Sequence, residues 1–157
     1  MVRHLLVPID GSELSVAAVN TVVAFAKQCG ARLTFFNAQP SYYGRPDVAI
    51  YGEGLVLDPA LNQQFAEANA RFARTILDQA LEQAAAQGVE ATSETCVSAL
   101  VHEAILETAE RLGCDLIAMA SHGRRGLAGL LLGSETQRVL THARVPVLVI
   151  PAAQPPA

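Results

Sequence analysis

The sequence predicts an α/β protein: an open, doubly wound, five-stranded parallel sheet with helices on both faces, Rossmann-like in plan. Three observations point there. Strand-like and helix-like segments alternate along the whole chain, as parallel strands joined by helical crossovers require. The strand segments are near-continuous apolar runs, which suits a sheet covered on both faces. The 157 residues, 51% apolar and 17% charged, supply one core of ordinary domain size and exclude a disordered chain. One domain is expected over residues 1–151, with a disordered Pro/Ala-rich tail at 152–157.

The elements follow in order. Leu5–Ile9 is a short apolar strand stopped by Asp10-Gly11-Ser12, a turn signal and helix cap. From Glu13 to Cys29 the apolar residues Val16, Val19, Val23 and Ala26 recur at helical spacing, and Gly30 marks the stop. Arg32–Ala38 is a second buried strand. Residues 39–57, which include Tyr42, Tyr43 and Tyr51, carry no period; so long a loop is usually functional or mobile. Asp58 as cap and Pro59 at the first helical position open a long helix in which the pattern Leu61, Phe65, Phe72, Ile76 and Ala80 continues to Gln87 before Gly88. Val89–Val97 is a more polar strand suited to a sheet edge. Val101–Leu112 is a helix with Ile105 and Leu112 inward, closed by Gly113. Leu116–Met119 is a strand, Ser134–His142 a last helix, and Val145–Ile150 a last strand.

Composition excludes several function classes. A net charge of −4 argues against holding nucleic acid along a broad surface, though not against one small nucleotide in a pocket. Cys29, Cys96 and Cys114 form no CxxC pair and no zinc-ligand spacing, and read as reduced thiols. The apolar run before Pro8 is too short for a signal-peptide core, and no apolar stretch is long enough to span a membrane. A cytoplasmic protein is therefore expected. Lys27 is the only lysine and sits inside a helical pattern, which removes a Walker-type phosphate loop and a Schiff-base lysine. His102-Glu103 lacks the second His of a metalloprotease helix, and no Gly-x-Ser-x-Gly elbow exists.

Open doubly wound sheets bind ligands beyond the carboxyl ends of their strands, so chemistry is expected after strands one, two and four. Asp10-Gly11-Ser12 follows strand one. The segment from Ala120 to Ser134, glycine-rich and containing His122, Gly123, Arg124, Arg125 and Gly133, follows strand four and leads straight into a helix. Glycines let backbone N–H groups approach phosphate oxygens, and a helix start offers unpaired donors with a favourable dipole. Plainer readings stand beside this one: turn glycines, a solvated arginine pair, a turn histidine, and Asp10 as a helix cap.

With these residues in place, the chain resembles the universal stress protein family. The resemblance runs from Arg3 to Ile150, through Val7-Pro8-Ile9-Asp10-Gly11-Ser12, Asp115-Leu116-Ile117-Ala118-Met119, Ser121-His122-Gly123-Arg124, Leu132-Gly133-Ser134 and Val145-Pro146-Val147-Leu148-Val149. The ATP-binding branch of that family carries Gly-x2-Gly-x9-Gly-Ser/Thr; here Gly123, nine residues, Gly133 and Ser134 fit the latter part, and Ala120 replaces the first glycine. The resemblance implies strand order 3-2-1-4-5 and an ATP site. In it Pro8, Ile9 and Asp10 wall the nucleoside, with Asp10 accepting from ribose hydroxyls. Ala38 offers backbone to adenine and Met119 packs near base or sugar, although ordinary core is the plain reading for both. Ala120, His122, Gly123, Arg124, Gly133, Ser134, Glu135 and Thr136 surround the phosphates.

Two further departures matter. Ser98-Ala99-Leu100-Val101 stands where the family usually has glycine and often proline. Glu135 stands where an apolar residue is common, and a carboxylate near polyphosphate calls for Mg²⁺ or Mn²⁺ between them. No general base beside a nucleophile is found. The resemblance thus implies a nucleotide-binding stress and signalling module with at most slow hydrolysis or self-phosphorylation. The alternatives are a nucleotide-free stress protein and a slow ATPase on the same fold. Strand five is then an uncharged edge, and a homodimer through Val147, Leu148, Val149 and Ile150 is expected.

Overall fold

A computed structural model of the chain describes residues 1–41, 59–122 and 132–151. The elements are β1 (His4–Pro8), α1 (Glu13–Cys29), β2 (Arg32–Gln39), α2 (Pro59–Ala86), β3 (Ala91–Val97), α3 (Val101–Leu112), β4 (Leu116–Ala120), α4 (Ser134–His142) and β5 (Val147–Ile150). The five strands form one sheet in the order β3-β2-β1-β4-β5, and every pairing is parallel. The chain winds outward from β1 to β3, then crosses back to lay β4 on the free side of β1. The winding direction therefore reverses between β1 and β4.

Alternation along the strands sends side chains into two layers. Leu5, Val7, Leu33, Phe35 and Ala118 meet Val19, Val22, Val23 and Ala26 of α1 and Ile76, Leu77, Ala80 and Ala84 of α2. Leu6, Phe36, Ile117 and Met119 meet Ala104, Ile105 and Ala109 of α3 and Val139 of α4. Near-continuous apolar strands follow from this double coverage, because neither face of the sheet is left to water.

The apolar residues that recur at helical spacing are not all buried. In α1 the inward face is Ser15, Ala18, Val19, Val22, Val23 and Ala26, while Val16 is 39% exposed. In α2 only the C-terminal half is buried, at Ala73, Ile76, Leu77, Ala80 and Ala84; Leu61 and Phe72 are exposed and Phe65 is half-buried. Length explains this. At 28 residues α2 is roughly 42 Å long, whereas the eight residues of β2 span roughly 26 Å. The first half of α2 therefore overshoots the carboxyl ends of the strands. Leu112 of α3 is half-buried. β3 is an edge strand whose residues are all exposed or half-buried, as its polarity predicts. Asp58, the three tyrosines of the 39–57 segment and the 152–157 tail lie outside the described residues.

At the amino ends of the strands, a polar chain crosses β1, β2 and β3. Arg32 Nη2 lies 3.3 Å from His4 Nδ1, His4 Nε2 lies 2.8 Å from Thr34 Oγ1, and Thr34 Oγ1 lies 3.0 Å from Thr92 Oγ1. A guanidinium has no acceptor, so His4 Nδ1 accepts, the ring is neutral, and Nε2–H donates to Thr34. Burial, and then the Arg32 charge, hold the His4 pKa below its ordinary value. Asp115 is also shifted down: burial alone would raise its pKa, but the amides of His4 and Arg3 donate to its carboxylate and outweigh that cost.

Both shifts make folding depend on pH in the same sense. The unfolded chain takes up a proton on His4 below its ordinary value of 6.5, and the folded chain resists it. Stability is therefore full above that value and falls as pH drops through the window below it. A second loss begins near the ordinary Asp115 value of 3.8, where the unfolded carboxyl protonates first. Urea unfolding at pH 7.5 and 5.5 is expected to show lower stability at the acid value. His4→Gln should flatten that difference; an undiminished drop in the variant contradicts the assignment.

Cys29, Cys96 and Cys114 are free thiols. Burial pushes the Cys114 thiol up to about 11, and burial followed by the Glu107 charge raises that of Cys96. Neither is an activated nucleophile.

Candidate functional site

Where β1 ends, the backbone turns on Asp10-Gly11-Ser12. Asp10 Oδ1 accepts from the Ser12 amide at 2.9 Å, closing a local turn, and Gly11 takes φ +78°. Ser12, in extended conformation, then caps α1: its Oγ accepts from the Ser15 amide at 3.2 Å. Capping thus belongs to Ser12, and Asp10 shapes the turn before it. The ring of Phe72, carried by the overshooting half of α2, covers this turn so closely that a Cβ on Gly11 would lie 2.4 Å from its Cζ.

A buried asparagine absent from the sequence expectations fixes the exit of β1. Asn37 is 5% exposed, and its Nδ2 donates to the Ile9 carbonyl at 2.8 Å, while the Ile9 amide donates to the Phe36 carbonyl at 2.8 Å. Its signal in the sequence is an amide directly after the apolar pair Phe35-Phe36. Gln39 and Thr95 extend the network across to β3: Gln39 Nε2 donates to Thr95 Oγ1 at 2.8 Å, and Thr95 Oγ1 donates to the Asn37 carbonyl at 2.9 Å. Around this exit Pro8, Asp10 and Ala38 are half-buried and Ile9 is buried.

The end of β4 lies beside the end of β1. Met119 and Ala120 are 7% and 8% exposed, and the Met119 side chain packs in the core layer under α3 and α4. Among the described residues no non-glycine has positive φ, so Ala120 stands in the place of a glycine without backbone strain. Ser121 donates its amide to the Ile150 carbonyl at 2.8 Å and accepts from the Gly133 amide at 2.7 Å. That second bond clamps the two ends of the glycine-rich segment together. His122 is half-buried, with Nδ1 3.1 Å from Ser121 Oγ. Gly123 and Arg124 lie outside the described residues.

Gly133 is the N-cap of α4, with φ −69° and ψ 153°, and no side chain caps the helix. The first-turn amides of α4, beginning with exposed Ser134, are donors that the helix itself leaves unmatched. Thr136 is buried, and its Oγ1 donates to the Ala120 carbonyl at 3.1 Å, tying this turn to β4.

Glu135 departs from expectation. Its carboxylate is turned toward α3: Oε2 accepts from the His102 amide at 3.0 Å, and Oε1 accepts from Arg138 Nη1 at 2.9 Å. The reason is local. α3 begins at Leu100, which has no side-chain cap, and Ser98 Oγ is already bonded to the Leu100 amide. An orphan helix amide and a nearby guanidinium therefore capture the carboxylate. Among the described residues no three His, Cys, Asp or Glu side chains gather as a metal site.

A separate cavity of about 630 Å³ opens at the opposite end of the strands, lined by Arg3, Lys27, Arg32, Glu90, Asp115 and neighbours. Its charges are mixed and three helix C-termini face it, so it lacks the donor set of an anion site. Among the described residues no helix is long and apolar enough to cross a membrane.

Comparison with known proteins places this geometry. A model of the universal stress protein family matches residues 1–151. Universal stress protein YxiE of Bacillus subtilis is 31% identical over 153 residues, covering 96% of this chain and 99% of its own. Among solved structures, universal stress protein UspA from Lactobacillus plantarum superposes with a TM-score of 0.79 at 25% identity, over 94% of this chain and 97% of its own. A universal stress protein solved in complex with cAMP superposes with a TM-score of 0.67 at 24% identity, over 97% and 98%.

Proposed function

The chain belongs to the universal stress protein family, and on that premise we propose that it is a homodimeric cytoplasmic module that binds ATP at the carboxyl ends of β1 and β4 and signals through its nucleotide state. One observation carries this reading. The Asp10 turn and the uncapped start of α4 both lie at the point where the winding of the sheet reverses, and there a doubly wound sheet opens its ligand crevice. The fold neighbour solved with cAMP supports an adenine nucleotide as the ligand class.

In this reading Pro8, Ile9 and Asp10 wall the nucleoside, Ala38 offers backbone to the base, and Met119 supports the sugar from below. Ala120, His122, Gly123, Arg124, Gly133, Ser134 and Thr136 surround the phosphates. The residues give binding and orientation, not strong catalysis: the lone lysine, Lys27, lies on α1 far along the chain from the phosphate segment. One observation favours a nucleotide-free reading instead. The Ser121 and Gly133 amides are already spent on protein carbonyls, so fewer donors remain for phosphate.

The dimer belongs to the same reading. β5 is a sheet edge of four apolar residues, Val147, Leu148, Val149 and Ile150, each half-buried in the single chain, with no charge to discourage pairing. One preparation tests both claims. Titration with ATP and Mg²⁺ is expected to give a Kd below about 1 mM, and sedimentation at micromolar concentration a mass of twice 16.6 kDa. No binding below millimolar selects the nucleotide-free reading; a persistent monomer removes the dimer. Multiple-turnover ADP release abolished by Gly123→Val selects the ATPase.

A further inference from the structure

α3 and α4 both start at the ligand end of the sheet, on the same face, so their positive dipole ends lie close together. The Glu135 side chain joins these two ends. Glu135, in the first turn of α4, accepts from the His102 amide in the first turn of α3 at 3.0 Å, and the two residues are 33 apart in the chain. The same Oε2 lies 3.4 Å from His102 Nδ1, and Oε1 is held by Arg138. His102 also sets its ring 6.0 Å, centroid to centroid, from that of His142 at the far end of α4. The first turn of α4 is thus fixed to β4 through Thr136 and to α3 through Glu135.

We propose that Glu135 is a positioning residue for nucleotide: it caps α3 from outside that helix and thereby holds the α4 amides in register for phosphate. This rests on the ATP reading above and assigns Glu135 a role opposite to that of a carboxylate facing polyphosphate. Both of its oxygens are occupied by donors and Arg138 balances its charge, so its repulsion of phosphate is small. Loss of the side chain leaves the His102 amide unmatched and frees the first turn of α4 to shift. The two roles predict opposite signs. A repelling carboxylate, once removed, tightens ATP binding; a positioning one, once removed, weakens it.

The test compares ATP and adenosine binding by wild type, Glu135→Gln and Glu135→Ala, well below each melting temperature. Glutamine keeps an acceptor for the His102 amide without the charge. The expected result is about tenfold weaker ATP binding in Glu135→Ala. Adenosine affinity should stay within about twofold, since that ligand lacks the phosphates, and ATP binding in Glu135→Gln should be close to wild type. Tighter ATP binding in either variant, or equal losses for ATP and adenosine, overturns the assignment while leaving the ATP reading standing. Absence of ATP binding by the wild type removes both.

Discussion

Gly11→Ala is expected to lower the melting temperature by roughly 6–12 °C, whereas Gly30→Ala should lower it by only about 2–4 °C. The two glycines share a left-handed backbone, at φ +78° and +65°. A methyl group in that conformation costs on the order of 1 kcal/mol at either position. They differ in what the methyl meets. At Gly30 nothing lies within 4 Å, while at Gly11 the new Cβ falls 2.4 Å from Phe72 Cζ and 3.3 Å from Ile76 Cγ2. Ile76 is 8% exposed and packed in the core, so relief must come from moving Phe72 or the turn. That adds roughly 2 kcal/mol. A cycle with Phe72→Ala isolates the added part: the Gly11 penalty should shrink when the ring is absent. Equal shifts at the two glycines would show that α2 does not press on the Asp10 turn. The same substitution is expected to weaken ATP binding, because the turn that presents Asp10 is displaced.

Phe36→Ala is the second large effect, a loss of about 3–5 kcal/mol, or roughly 6–20 °C in melting temperature. Phe36 is 1% exposed and anchors the layer formed with Leu6, Ile105, Ile117, Met119 and Val139. Truncation removes an aromatic ring where α3 and α4 share one contiguous core, and a close-packed interior collapses only partly around the void. Its backbone carbonyl also receives the Ile9 amide, so relaxation of β2 reaches the exit of β1. Phe36→Leu should cost much less, since it keeps most of the volume. Urea unfolding with an unchanged m-value checks both variants. A loss below about 1 kcal/mol for the alanine variant is incompatible with a packed α3–α4 layer.

Much of the architecture was legible because its determinants are local. The expected ends of α1, α3 and α4 coincide with those observed, and each is punctuated by neighbours: Ser12 and Gly30 around α1, Gly113 after α3, Gly133-Ser134 at the start of α4. The polar composition of β3 correctly marked an edge, because an edge strand exposes one side to water. Periodicity was less informative about which face turns inward. Val16 fits the helical period of α1 yet stays exposed, and Leu61 and Phe72 fit that of α2 while lying beyond the sheet. A period reports that a face exists, not where the sheet beneath it ends.

Side-chain partners are a different matter. Ser12 caps its own helix through a bond three residues long, so a cap within Asp10-Gly11-Ser12 was legible from position, although not which of Asp10 and Ser12 supplies it. Glu135 stands in just such a first-turn position, and the family resemblance set it among the phosphates; the fold also brought it an uncapped helix from earlier in the chain. Asn37 holding the Ile9 carbonyl and Phe72 roofing Gly11 are of the same kind. By itself the amino-acid order determined the alternating elements, most of their ends and the parallel sheet, since caps, turns and apolar runs act within a few residues. Only the tertiary structure decided which donor each carboxylate and amide serves, because those pairings join groups that meet solely when distant segments pack, and burial then leaves them no water as an alternative partner.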